Sequence, residues 1–152
     1  MKNKIVIALF FSLSLVACFT VKFITGYDEV LDQTVNRMKT DFNVHFIKLA
    51  RTIQDNDPNN QKFENFQDYY DHLEADLLTI KARTSILDGK AKIVKDQVEK
   101  LDSSFHVFIA MHKRGIPDRV GDDHHTDQNA INSSFDAVIF LQESLKTTGK
   151  PN

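Results

Sequence analysis

Four stretches of the chain repeat apolar residues at steps of three and four, the period of a helix that buries one face. The first runs from Tyr27 to Ile53, with Leu31, Val35, Met38, Phe42, Phe46, Leu49 and Ile53 on its stripe. Asp28, Glu29 and Asp32 occupy its opening turns, where carboxylates complement the helix dipole. Pro58, in a run of Asp and Asn residues, ends it, because proline disfavours helix at the residue before it. The second stretch runs from Lys62 to Leu87 on Phe66, Tyr70, Leu73, Leu77, Ile80, Thr84 and Leu87, with Asp88-Gly89 as its stop. The third, Ala91 to Arg114, carries Val94, Val98, Leu101, Phe105, Phe108 and His112, and Gly115 and Pro117 close it. The fourth starts at Thr126 or Asp127 and reaches Thr147 on Ile131, Phe135, Val138 and Leu145.

Little alternates apolar with polar outside these stripes, so no strand is predicted. Four helices of roughly 20–27 residues joined by short loops predict an all-α fold, an up-down four-helix bundle over residues 27–147 with a flexible tail at 148–152. Twelve phenylalanines, three tyrosines and no tryptophan make its core rich in Phe. The fourth stripe is wide, since Ala137 to Leu141 is apolar throughout. Tyr69, Ile109, Ile139 and Phe140 then form a surplus face, available to a partner or an apolar ligand.

The N-terminus has a different pattern. Met1-Lys2-Asn3-Lys4 is basic, and Ile5 to Ala17 is apolar apart from Ser12 and Ser14, the layout of a secretory signal peptide. It ends in Leu15-Val16-Ala17-Cys18, which resembles the bacterial lipobox. The resemblance implies cleavage after residue 17 and acylation of Cys18, leaving residues 18–26 as a membrane-proximal segment. Cys18 is the single cysteine of the chain, and two or three acyl chains would hold it on a bilayer. Apolar residues continue to Ile24, so an uncleaved signal anchor long enough to cross a hydrocarbon core is a competing reading, and plain secretion is a third. All three place the remaining chain outside the cytoplasm.

Cleavage leaves 135 of 152 residues, the size of one domain, and moves the net charge from −2 to −4 by removing Lys2 and Lys4. The charges are interspersed, so long-range attraction to nucleic acid is excluded as a driving force.

Candidate chemistry is sparse. His45, His72 and His106 each follow an aspartate (Asp41, Asp68, Asp102) by four residues, a spacing that puts both side chains on one helical face. Such pairs can orient an imidazole or share a metal, or simply face solvent. Adjacent His124 and His125 after Asp122-Asp123 make a loop cluster able to touch a metal or partner weakly, without the fixed geometry of a structural site. Met38 and His112 lie on apolar stripes; together they have the chemistry of a haem ligand pair, and singly that of core residues. The paired Glu-x-x-His motifs of di-iron bundles, Gly-x-Ser-x-Gly elbows and phosphate-binding glycine loops are all missing. No catalytic residue and no cofactor is therefore assigned, and an enzyme is not expected.

With the lipobox and stripes placed, the chain resembles a diffuse group of small all-helical lipoproteins of Gram-negative bacteria. The likeness rests on Tyr27-Asp28, on Tyr70 with Asp76-Leu77 and Ala82-Arg83, and on Leu101 with His112 and Gly115. It covers most of the mature chain through degenerate motifs and brings no activity. The expectation is a membrane-anchored lipoprotein of the cell or outer membrane, facing the periplasm or exterior. It would act as a helical interaction or structural module with an envelope protein as partner. The alternative is a bundle that binds a small apolar ligand or a metal.

Overall fold

Asp28 opens the first helix, α1 (Glu29–Gln54), from an extended backbone. Its carboxylate accepts from the amides of Val30 and Leu31 at 2.9 and 3.1 Å, two donors that the helix itself leaves unpaired. A computed structural model describes residues 27–55, 57–115 and 126–148. Its other helices are α2 (Gln67–Thr84), α3 (Lys92–Lys113) and α4 (Thr126–Thr148), with short 3-10 turns at Phe63–Phe66 and Gly89–Ala91. No strand occurs among the described residues, and the fold is all-α as the apolar spacing predicts. None of these helices is long and apolar enough to cross a membrane. The signal segment, the membrane-proximal residues 18–26 and the last four residues of the tail lie outside the described residues.

Two boundaries differ from expectation, for local reasons. The second stripe predicts helix from Lys62, but α2 begins at Gln67 because Phe63–Phe66 winds as a 3-10 turn. That turn lays Phe63 flat on Tyr70, with ring centroids 4.9 Å apart, and sets Phe66 edge-on to His45 at 5.1 Å. At its far end α2 stops at Thr84 rather than Leu87. The hydroxyls of Thr84 and Ser85 bond back to the carbonyls of Ile80 and Ala82, competing with further helix. Gly115 ends α3 as predicted, at φ +76°, with its amide on the His112 carbonyl.

The predicted stripes form the core. Phe42 of α1 stands at its centre, within 5.5–6.3 Å of the rings of Phe46, Phe105, Phe108 and Phe135, so that three helices meet at one side chain. The edge-to-face contacts with Phe105 and Phe108 add about 0.5–1.5 kcal/mol per pair beyond burial. The surplus face dissolves: Ile109 is buried, Ile139 is half-buried against the core, and Phe140 alone of that set stands exposed.

Polar bonds set the register. Asn43 of α1 and Asn132 of α4 exchange amide hydrogen bonds at 2.9 and 3.1 Å, and Gln128 donates to Asn43 at 2.8 Å. Lys39 pairs with Asp136 one turn further along. Arg37 meets Asp76 of α2 at 2.7 Å, and Lys81 of α2 meets Asp102 of α3 at 2.6 Å. Taken with Asp28–Arg83 and Tyr70–His112, these contacts advance along one helix as they retreat along its neighbour. The pairs α1–α2, α1–α4 and α2–α3 are thus antiparallel, and α3 also packs on α4.

Candidate functional site

His45, Tyr70 and His112 come from α1, α2 and α3, and each is placed by its helical register. His45 is three residues beyond Phe42 and four before Leu49, so it faces inward with the α1 stripe. Tyr70 and His112 occupy stripe positions of their own helices. The Tyr70 hydroxyl lies 3.0 Å from Nε2 of His45 and 2.6 Å from Nδ1 of His112. On its other side, Nε2 of His112 lies 2.8 Å from the carbonyl of Gln61, in the connection between α1 and α2.

That terminal carbonyl fixes every proton in the chain. A carbonyl only accepts, so Nε2 of His112 carries hydrogen. Burial pushes His112 below its ordinary value against the pull of the Gln61 carbonyl and Glu64, so its ring is neutral and Nδ1 is bare. Nδ1 then accepts from the Tyr70 hydroxyl, and the Tyr70 oxygen accepts from Nε2–H of His45. Burial, with smaller contributions from His112 and Lys48, pushes His45 down to about 3, so it too is neutral. Its Nδ1 is left as an acceptor with no protein partner among the described residues. Burial also raises Tyr70, which keeps its proton. Chemically, hydrogen bonds so arranged are able to pass a proton. A proton reaching Nδ1 of His45 can pass through Tyr70 and come to rest on His112, reversing each bond on the way.

His45 also lines a cleft of about 560 Å³ between α1 and α2. Tyr69 stacks on the His45 ring at 3.9 Å with a tilt of 7°. Met38, Val44, Phe66 and Leu73 supply apolar wall, and Arg37, Asp41, Lys48, Asp68 and Asp76 supply charge. Arg37 is engaged by Asp76 and lies 3.9 Å from Asp41. The Tyr69 hydroxyl is buried without a hydrogen-bond partner, which ordinarily costs about 1–3 kcal/mol. Burial, then Tyr70 and Asp41, push its ionisation far up, so it stays a neutral donor.

The sequence-level candidates fare unequally. Of the Asp–His pairs, His45 turns away from Asp41 to Tyr70. His72 and Asp68 both line the cleft, and exposed His106 lies 3.5 Å from Asp102, whose other oxygen binds Lys81. Met38 is core, and both ring nitrogens of His112 are used within the protein, leaving none for haem iron. Among the described residues no group of three or more His, Cys, Asp or Glu could hold a metal ion. Cys18, His124 and His125 lie outside the described residues. The chain of bonds itself escapes a search for charged pairs, because its members are neutral and lie on stripes that read as hydrophobic. Two histidines and a tyrosine in register with three apolar stripes are the signal that would have found it.

Compared with protein families, curated proteins and solved structures, the chain matches none.

Proposed function

We propose that the protein is a lipid-anchored helical module of the bacterial cell envelope. Acyl chains on Cys18 hold it on the cell or outer membrane, and the helices form an up-down four-helix bundle on the periplasmic or outer side. There it contacts an envelope protein or supports envelope structure, and no catalytic step is assigned to it.

The observation that carries this reading is the bonding where the chain runs into α1, ten residues after Cys18. Besides capping α1, Asp28 takes a two-pronged contact from Arg83 of α2 at 2.7 and 2.9 Å. Its amide donates to Gln142 of α4 at 2.9 Å. Burial alone would raise the Asp28 carboxyl; Arg83 and the Leu31 and Val30 amides outweigh it and hold the group below its ordinary value. Lys146 of α4 sits over the Tyr27 ring at 5.1 Å. Three helices therefore grip the first described residues, as a tethered domain needs if it is to keep a fixed attitude to its anchor.

Metabolic labelling with a clickable fatty acid tests the anchor, comparing wild type with Cys18→Ala. Label and membrane retention are both expected to vanish in the variant. Retention of an unlabelled chain that still begins at Met1 would replace the lipid with a signal anchor.

A second reading, a bundle that binds a small apolar ligand, is favoured by the cleft between α1 and α2. Its volume lies within the ~300–1,000 Å³ of small-molecule sites.

A further inference from the structure

We propose that the cleft between α1 and α2 binds a small, uncharged aromatic molecule whose N–H or O–H donates to Nδ1 of His45. The inference rests on the second reading above and gives it a ligand class and a recognition atom.

The acceptor comes first. The Gln61 carbonyl orders the protons of His112, Tyr70 and His45 in one direction, so the chain of bonds ends on a bare imidazole nitrogen. Among the described residues, only the Tyr69 hydroxyl and one oxygen of Asp127 are both sealed and without a partner. Nδ1 of His45, which no described protein group bonds, is not among them and so is not fully sealed, and His45 lines the cleft. An acceptor held in place by a chain of bonds across three helices is already oriented for a donor.

The walls select the rest of the molecule. His45 lies between the stacked Tyr69 ring and the edge of Phe66, a setting that favours a planar aromatic body. The lining charges nearly cancel, two cations against three carboxylates, and Arg37 is already engaged by Asp76. An ionic ligand would lose its hydration and meet charges of both signs along the same wall, so a neutral one fits better. Tyr69 covers one face of His45, and its hydroxyl makes no hydrogen bond.

The test uses the full chain labelled with 15N-histidine in lipid nanodiscs, with empty nanodiscs as the blank. Indole and 1-methylindole are titrated; they share shape and ring system but only indole has the donor. The expected result is movement of the His45 Nδ1 resonance with indole and binding about tenfold tighter than for 1-methylindole, the worth of one such hydrogen bond. In His45→Phe the preference should disappear while weak binding of both remains. If that variant does not fold, the two probes on wild type still decide. Equal affinity for both overturns the assignment of Nδ1 and leaves the cleft as an apolar site. No binding of either at millimolar concentration overturns the second reading as well.

Discussion

The Asp28 end and the Tyr70 end join the helices by opposite means. At the first, a part-buried carboxylate, a guanidinium and three side-chain–backbone bonds hold α1, α2 and α4. At the second, neutral rings hold α1, α2 and α3, with no formal charge among them. Water competes for the former and salt screens it; nothing competes for the latter. The contrast separates two jobs: a charged clasp fixes where the chain arrives, and a neutral buried chain fixes how the helices sit.

The sharpest way to break the contrast is Tyr70→Phe. It removes one oxygen but strands two imidazole nitrogens, so a loss of about 2–4 kcal/mol is expected by urea unfolding, with an unchanged m-value. The same network sets the acid limb. His45 and His112 have values depressed from 6.5, so the folded state binds fewer protons than the unfolded one. Their neutral burial costs nothing above about pH 6.5. Stability falls below that, at up to about 1.4 kcal/mol per pH unit for each histidine. A stability curve that stays flat from pH 7 to 4 would contradict the assignment.

Asp28→Ala comes next, with an expected loss of about 1–2 kcal/mol from the missing cap, while Asp28→Asn keeps the cap and costs less. Added salt should screen the Asp28–Arg83 pair, so the gap between Asp28→Asn and wild type narrows in 1 M NaCl. The smallest effect has the opposite sign. Tyr69→Phe removes a buried hydroxyl that bonds to nothing, and thermal melts should show a gain of about 1 kcal/mol. A loss would mean that the hydroxyl has a partner when the protein is in solution.

Much of the fold is legible in the sequence because burial obeys spacing. Leu31, Val35, Met38, Phe42, Phe46 and Leu49 are all buried, as their steps of three and four require. Polar residues that keep the same spacing are the ones a search for apolar stripes passes over. Gln142 lies four residues after Val138 and three before Leu145, yet reads as a gap in the fourth stripe; it is fully buried, with its oxygen on the Asp28 amide. The spacing offers His45 as a partner for Asp41, and the structure makes it an interior ring bonded to Tyr70. Spacing says which way a side chain faces, but its partner comes from another helix, and that information is not local. The start of α2 differs from the stripe for a similar reason, since Phe63 and Phe66 wind tightly to reach rings on other elements.

The Gln142–Asp28 bond also brings the last turns of α4 beside the residue that caps α1. A peptide of a few glycines could therefore bridge residues 148 and 27. Opening the polypeptide instead within 55–62 would give a circular permutant that keeps every helix pairing described above.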